Sequence, residues 1–146
     1  MKLPDVNLLL YAADDTDARH EPARAWLEAT LSDTETVAFA WLTLVGFVRI
    51  CTSPRATTNP LGVTGAFDVI DGWLAQPSVT VVHPTSRHGA VLRELLVPLG
   101  TGGNLTSDAH LAALAIEHGA TLYSCDNDFS RFPGLRWIDP LSERAT

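Results

Sequence analysis

Lysine is almost absent from this sequence, and acidic residues outnumber basic ones. Of the ten basic residues nine are Arg and only Lys2 is Lys, while Asp and Glu total 17, which gives a formal net charge of −7. This balance excludes a protein that binds nucleic acid through bulk positive charge. It leaves room for contacts from single arginines, whose planar guanidinium suits phosphate groups. The lack of lysine also argues against a phospho-accepting aspartate fold, which needs a cation in its site.

Cysteine is scarce as well, since the chain has only Cys51 and Cys125 and no CxxC pair. This usage is typical of a cytoplasmic protein without disulfides or a structural zinc site. No apolar run approaches the roughly 20 residues of a membrane helix. The N-terminal segment has no small-residue cleavage site of the kind that secretory signals carry. We therefore expect a cytoplasmic protein that does not bind a membrane.

Several motifs of common enzymes are missing. The chain has neither GxxxxGK[ST] nor GxGxxG, so GTGGN at 100–104 is predicted to be a turn and not a phosphate-binding loop. No GxSxG supports a serine hydrolase. The five histidines lack metal-ligand spacing to one another. The nearest case, His110 and His118, lies on one predicted helix with a separation too long for a shared ion.

The apolar pattern predicts a single α/β domain spanning residues 1–146. Hydrophobic residues make up 46% and charged residues 18% of the chain, which is a globular balance. Strands alternate with helices, and this order implies a parallel sheet with helices on both faces. Strands are predicted at 1–6, 35–40, 78–83, from 121 onward and at 136–141. Helices are predicted at 7–13, 20–31, 41–52, 64–76, 86–100 and 104–119, the last one capped by Thr106 or Ser107.

Acidic residues stand at the edge of this sheet where a ligand is expected. Asp5 follows the first strand, Asp126 follows the fourth, and Asp128 comes shortly after. Asp108 lies in the first turn of the helix that leads into the fourth strand. Ligands of parallel sheets bind outside the carboxyl ends of the strands, so these side chains converge if the first and fourth strands are neighbours. A hard divalent cation commonly relieves such carboxylate repulsion, and oxygen-only ligands favour Mg²⁺ or Mn²⁺ over zinc.

Each of these acids also has a purely structural explanation. The helix dipole favours Asp108 at a helix start, and Asp126 and Asp128 are of a type common in turns. Asp5, beside the core of the first strand, is harder to explain without a partner. The coincidence of three acids at strand ends or a helix start favours the metal-site interpretation.

Three segments of the chain together resemble the PIN-domain toxins of the VapC type. They are DVNLLLYAAD near the start, FVRICTSPR in the middle and GNLTSDAHLAALAIEHGATLYSCDNDFSRFPGLRWIDPL near the end. The likeness is strongest over residues 103–141. It implies a three-layer α/β/α sandwich with a short central parallel sheet, and endoribonuclease activity that depends on Mg²⁺ or Mn²⁺. It also implies neutralisation by a small VapB-type antitoxin.

The resemblance carries over to individual residues of this sequence. Asp5, Asp108 and Asp126 match the metal-binding and catalytic acids of such domains, and Asn7 and Asp128 match the polar positions that support them. A metal ion in that site polarises the scissile phosphate of RNA and activates a water molecule for in-line attack.

RNA and a second copy of the chain are the other expected partners. Arg49 and Arg55, near the predicted cleft, are candidates for contacts to the RNA backbone, although a solvated surface position explains each of them equally well. Sequence-specific RNA recognition favours exposed loops, so a tRNA or ribosomal RNA loop is the expected substrate class. We also expect a homodimer, because the helices carry more apolar side chains than one small core is expected to bury. Candidates for that surface are Trp26, Trp41, Phe47 and Trp73.

The chain departs from the family pattern at one position. PIN domains usually carry a further acid, commonly Glu, on the helix after the second strand, where this sequence has Gly46. No Asp or Glu occurs between Glu35 and Asp68, so no shift of register restores it. The departure puts a two-metal site in doubt and makes Asp128 the nearest replacement. It also leaves a second interpretation open, a catalytically weak or inactive PIN domain that binds RNA or an antitoxin.

Overall fold

A computed structural model describes residues 1–142 of the chain. The predicted domain, 1–146, includes residues 143–146, which lie outside the described residues. The strands are β1 (Lys2–Pro4), β2 (Val37–Phe39), β3 (Val79–Val81), β4 (Thr121–Tyr123) and β5 (Trp137–Ile138). The α-helices of residues 1–142 are α1 (Val6–Ala13), α2 (His20–Ser32), α3 (Trp41–Cys51), α4 (Val63–Leu74), α5 (His88–Leu96) and α6 (Leu105–Glu117).

The five strands form one parallel sheet in the order β3-β2-β1-β4-β5. The first and fourth strands are neighbours, as the metal-site interpretation requires, and Pro4 at the end of β1 pairs with Tyr123 at the end of β4. This register places Asp5 and Ser124, the residues that follow, side by side at the carboxyl edge of the sheet. The strands are shorter than predicted because helices begin almost at once, α1 after β1 and α3 after β2.

A hydrophobic core lies on each face of the sheet, which confirms the three-layer α/β/α architecture. Alternation along β2 divides its side chains, since Val37 and Phe39 belong to one core and Ala38 to the other. The first core packs α1 to α4 against the sheet, and the second packs α5 and α6 against the opposite face. The apolar run from Leu111 to Ala115 makes α6 a buried helix, as its sequence indicates.

Two predicted helix boundaries were wrong. The helix predicted at 86–100 ends at Leu96 and continues only as a 3-10 turn over Val97–Leu99, because Pro98 has no N–H to donate and its ring disfavours a continuing α-helix. The expected cap of α6 by Thr106 or Ser107 is also not formed. That helix begins at Leu105, and its N-terminal neighbour Asn104 makes no side-chain cap hydrogen bond.

A polar cluster between α5 and α6 was not expected from the spacing of the histidines. His88 Nε2 lies 2.9 Å from His110 Nδ1, and the other ring nitrogen of His88 contacts the Glu117 carboxylate. Burial alone would raise the pKa of Glu117, but hydrogen bonds from Thr85 and His88 outweigh it and lower the pKa. The cluster fixes α6, which carries Asp108, against its neighbour helix.

The helices of residues 1–142 include none that is both long and apolar enough to cross a bilayer.

Candidate metal centre

Asp5 is the buried acid at the end of β1, with 9% of its surface exposed. It is the N-cap of α1, and its Oδ1 accepts the Val6 N–H at 2.7 Å. Its Oδ2 accepts the Ser124 hydroxyl at 2.8 Å. Burial raises the pKa of Asp5, the bonds from Ser124 and Val6 lower it, and the charge of Asp126 adds to the rise, for a net upward shift.

The Ser124 hydroxyl links three residues at this end of the sheet through hydrogen bonds. The sequence did not lead us to predict this role. It is fully buried, donates to Asp5 and accepts hydrogen bonds from Asn7 Nδ2 at 3.1 Å and from the Asp126 N–H at 3.0 Å. A hydroxyl has one donor and two acceptor lone pairs, so its capacity is fully used. The sequence feature that could have indicated Ser124 is a small hydroxyl residue that directly follows a buried strand and precedes the acids. Asn7 donates to Ser124 and accepts the Cys125 N–H at 3.4 Å, and its supporting role in the site stays a prediction.

Asp126 and Asp128 are brought together by a single tight turn. Asp126 is the N-cap of a 3-10 helix over Asn127–Arg131, and its Oδ1 accepts the Asp128 N–H at 2.9 Å. The side chain of Asp128 is 46% exposed and lies 3.5 Å from Arg131. Oδ2 of each carboxylate therefore accepts no hydrogen bond within residues 1–142.

Asp108 faces this turn from the first turn of α6. Burial raises its pKa to about 6, and the charges of Asp126, Asp5 and Asp128 add to the rise. The repulsion predicted from sequence is thus present in the folded chain. Without a counter-ion, ionised Asp108 destabilises the fold at neutral pH.

Within residues 1–142, one carboxylate oxygen each from Asp108, Asp126 and Asp128 lies within 4.8 Å of the others. This grouping contains two of the three acids that the sequence assigns to the metal, together with Asp128 in place of Asp5. Asp5 lies beside the group, close enough for its charge to raise the pKa of Asp108, but both of its oxygens already accept hydrogen bonds. The individual ligand assignments stay predictions.

The donor set fits a hard divalent cation. All the candidate ligands are carboxylate oxygens, which suit Mg²⁺ and Mn²⁺. The nearest soft donor, Cys125, is held protonated: burial raises the pKa of its thiol to about 12, and a hydrogen bond and the negative charge of Asp139 contribute. A metal ion would have to displace the proton of this thiol before binding it, whereas the carboxylate oxygens are available as ligands once ionised.

A cavity of about 380 Å³ opens between α1, α3 and α6 beside these acids. It is lined by Asp5, Val6, Leu42, Thr43, Val45, Gly46, Arg49, Ile50, Ser107, Asp108 and Leu111. Gly46 therefore lies in the wall of the site. A Cβ placed there would have its nearest contact with Val6 Cγ2 at 3.6 Å, an ordinary van der Waals distance. Packing against a neighbouring helix thus does not explain the glycine.

The two candidate RNA-binding arginines differ in position. Arg49, on the last turn of α3, lines the acid cavity. Arg55 lies on an exposed turn after α3 and is not among the residues that line it. The structure therefore brings Arg49, but not Arg55, to the wall of the candidate site.

An α/β/α sandwich with carboxylates gathered at the carboxyl edge of a five-stranded parallel sheet is the arrangement of a nuclease-like domain of the PIN class. The chain belongs to the PIN-domain family, whose model matches residues 2–135.

Within the PIN-domain family, the sequence is most informative when compared with ribonucleases of the VapC group. The chain is similar to Ribonuclease VapC37 of Mycobacterium tuberculosis, with 46% identity over 140 residues that cover 96% of this chain and 97% of the relative. It is similar to Ribonuclease VapC33 of the same species, with 41% identity covering 98% and 100%. Both matches span essentially the whole of each chain, so the VapC resemblance seen in the sequence is confirmed.

Solved structures share the fold at low identity. A VapBC2 complex from Rickettsia felis, bound to a DNA fragment from its promoter, aligns with a TM-score of 0.69 and 19% identity over 94% of this chain and 96% of that one. VapC20 of Mycobacterium tuberculosis, described as a toxin that cleaves the sarcin-ricin loop, aligns with a TM-score of 0.62 and 19% identity, covering 93% and 99%. These matches confirm the predicted fold class.

The raised pKa of Asp108 predicts a pH-dependent effect of removing its charge. Its ordinary value is 3.8 and its value in the fold is about 6, so the folded state holds a proton that the unfolded state has lost. The stability of the metal-free protein should therefore fall as pH rises through this window, and stay lower above it. In EDTA, Asp108→Asn should raise the Tm at pH 7 and have much less effect near pH 4, as measured by calorimetry.

The exposed Asp71 on α4 supplies the matched control, because Asp71→Asn removes the same charge far from the cluster. An equal stabilisation by Asp108→Asn at both pH values would show that repulsion among the carboxylates is not its cause.

Proposed function

We propose that this chain is a metal-dependent endoribonuclease and the toxin of a VapBC-type toxin–antitoxin pair. The observation that carries the proposal is the carboxylate group Asp108, Asp126 and Asp128, with Asp5 beside it, at the sheet edge of a chain 46% identical to a protein named Ribonuclease VapC37. Its expected place of action is the cytoplasm, where cellular RNA is found. An exposed loop of tRNA or ribosomal RNA is the substrate class we favour.

The residues of the site would have three different roles in phosphodiester hydrolysis. Asp108, Asp126 and Asp128, together with Asp5, would hold Mg²⁺ or Mn²⁺. A divalent ion bound there supplies Lewis-acid polarisation of the phosphate and a more acidic water. Asn7 and Ser124 hold Asp5 and the Asp126 backbone in position, a supporting role that commonly affects activity 10- to 100-fold. Arg49 would contact the RNA backbone from the cavity wall, and weaker RNA binding by Arg49→Ala tests this role. For Arg55 we propose a more peripheral contact, tested in the same way.

The cation also reconciles an acidic protein with a polyanionic substrate. Each acid in the cavity repels phosphate when no ion is bound, and the net charge of −7 offers no compensating field. A bound divalent ion reverses the local sign of the charge. RNA affinity should therefore depend on the metal.

The first test compares cleavage of labelled RNA by the wild-type chain and by Asp126→Asn, Asp108→Asn and Asp5→Asn. We expect cutting only with Mg²⁺ or Mn²⁺, no cutting in EDTA, and a loss of at least 100-fold in each variant. Wild-type protein that binds RNA or its antitoxin but does not cut it under any metal condition would support the inactive-module alternative instead. Full activity in one folded variant would remove that residue from the site.

The second test asks whether Asp128 compensates for Gly46. Because a Cβ at position 46 would be in ordinary contact with Val6 and the position lines the acid cavity, Gly46→Glu should fold and bind Mg²⁺ more tightly by calorimetry. Asp128→Asn should reduce cleavage by more than the 10- to 100-fold typical of a supporting residue. Unchanged Mg²⁺ affinity in Gly46→Glu together with full activity in Asp128→Asn would contradict compensation. Lost RNA cleavage with tighter metal binding in Gly46→Glu would instead show that RNA occupies the space beside the glycine.

We place the VapB-type antitoxin in a groove between α1, α2 and α4. Its walls are mostly apolar, and its rim carries Arg24, Glu28 and Asp68. The apolar lining residues are Ala12, Ala13, Leu27, Leu31, Leu61, Val69 and Trp73. Such a surface suits an amphipathic segment with apolar anchors and basic flanking residues. Solved relatives of this fold are VapBC complexes, which supports an antitoxin as the occupant.

We place the homodimer interface on a different face, formed by α3 and α4. Trp41, Val45 and Phe67 are 46%, 59% and 45% exposed there, and a shallow apolar groove runs between them. Of the residues expected to form apolar surface, Phe47 is instead buried in the core, and Trp73 packs against Phe39 and Phe47. Exposed apolar patches of this kind commonly mark protein interfaces.

Two residues of α4 that are two positions apart allow the two partner surfaces to be tested separately. Phe67 lies in the α3–α4 groove and Val69 in the α1–α2–α4 groove. Phe67→Glu should give a monomer by light scattering and still co-purify with the co-expressed antitoxin, whereas Val69→Glu should lose the antitoxin and stay dimeric. Each variant is the control for the other. A wild-type monomer at micromolar concentration, or antitoxin binding that survives Val69→Glu, would contradict the respective surface.

A further inference from the structure

A second cavity, of about 180 Å³, adjoins the acid site and is not used by the mechanism above. It lies between the C-terminal part of α1, the end of α3 and the loop that follows α3. Its lining residues are Leu10, Tyr11, Ala13, Asp14, Asp17, Ile50, Cys51, Ala56, Thr57, Asn59 and Leu61. Ile50 lines both this cavity and the acid cavity. A chain bound across the acids therefore has a side pocket within reach.

The aromatic wall of this cavity is held rigidly. The Arg19 guanidinium lies over the Tyr11 ring with its Cζ 3.7 Å from the ring centroid. Two hydrogen bonds, Nε to Asp17 Oδ1 at 3.0 Å and a terminal nitrogen to Asp17 Oδ2 at 3.2 Å, fix that guanidinium. Arg19 occupies one face of the ring, which leaves the other face as the surface on which a base can stack at little further cost in side-chain entropy.

Tyr11 is also close to the catalytic edge of the sheet. It lies four residues after Asn7 on α1, which is about 6 Å along the helix axis and on the same face. Asn7 contacts Ser124 and Cys125, directly before Asp126.

The polar groups of the cavity favour the edge of a base over a phosphate. Asp14 accepts two hydrogen bonds from Thr16 through Oδ1. Its Oδ2 and the side-chain amide of Asn59 have no hydrogen-bond partner within residues 1–142, although both residues line the cavity. The Asp14 carboxylate repels phosphate, and its Oδ2 can accept a hydrogen bond from an amino group, whereas both Asp17 oxygens are already bonded to Arg19. A base that carries an exocyclic amino group can donate to Asp14 Oδ2 and to the side-chain oxygen of Asn59 in place of water.

We infer that this cavity binds one unstacked nucleobase of the RNA substrate, next to the cleaved bond, with the base against Tyr11 and its amino-bearing edge toward Asp14 and Asn59. The inference rests on the proposed ribonuclease function and adds to it a source of sequence preference. Stacking on an aromatic side chain and hydrogen bonds to a splayed-out base are how proteins read single-stranded RNA.

The experiment is an abasic scan of a short cleavable RNA, with binding measured by fluorescence anisotropy in the Asp126→Asn background so that the RNA stays intact. Mg²⁺ is added at a concentration that calorimetry shows to saturate this variant, because RNA affinity is expected to depend on the ion. With Tyr11 present, an abasic nucleotide at one position beside the cut site should weaken binding about 5- to 100-fold, the range for loss of one stacked base. In Tyr11→Ala that position should lose its effect, because the partner of the base is gone. Tyr11→Phe, which keeps the ring, should restore it.

Two further variants make the result specific. Asn59→Leu should reduce the preference for an amino-bearing base at the same position. Arg19→Lys, which removes the planar group from the Tyr11 ring, should reduce the effect of the abasic nucleotide, and Arg93→Lys, at an exposed arginine of α5, is its control and should not. An abasic profile that is flat, or that is the same in wild type and Tyr11→Ala, would overturn the inference.

Failure of this inference is distinguishable from failure of the proposed function. If the wild-type chain cuts RNA and its abasic profile ignores Tyr11, only the base site is wrong. If the wild-type chain does not cut RNA with any divalent ion, the proposed function itself is wrong. Mg²⁺ affinity by calorimetry should be unchanged in Tyr11→Ala, which shows that the acid site is intact.

Discussion

Mutual repulsion among carboxylates at the carboxyl edge of the sheet is the constraint on which the rest of this structure depends. Asp5 and Asp126 are placed there by the pairing of β1 with β4, and Asp108 arrives from α6 on the opposite side. The fold keeps these groups together without a basic neighbour to neutralise all of them. It does so with hydrogen bonds from the backbone and from one buried hydroxyl, since Ser124 contacts Asp5, Asn7 and the Asp126 backbone.

The same constraint explains why the surrounding structure is rigid. The Ala-rich, buried helix α6 packs closely against the sheet, and the Glu117–His88–His110 cluster joins it to α5. This packing holds the first turn of α6, and with it Asp108, whose pKa is raised to about 6, beside the other acids. Functional sites commonly contain groups that lower the stability of the fold locally, and the surrounding structure compensates for this cost.

Much of the architecture was predictable, because alternation of strands and helices leaves few topologies open to a chain of this length. The proximity of Asp5 to Asp126 was predictable, since strand ends in a parallel sheet meet at one edge. The contacts of Ser124 and the His88–His110 pair were not, because both depend on packing between residues far apart in the chain. The position of Asp128 beside Asp108 depends on a 3-10 helix, which the hydrophobic periodicity of the sequence does not predict. The ends of α5 and α6 were misjudged because local hydrogen bonding at a proline and at a helix cap decides them.

The protonated thiol of Cys125 gives the acid site a property of its own. The thiolate is the form of cysteine that binds thiophilic metals and reacts with oxidants and alkylating reagents. A cysteine beside Asp126 whose pKa is raised to about 12 presents almost none of that species at neutral pH. At neutral pH this cysteine therefore stays a neutral neighbour of the acids and adds no further negative charge to a site already crowded with carboxylates. Its thiol should accordingly react more slowly with alkylating reagents than an unperturbed cysteine does.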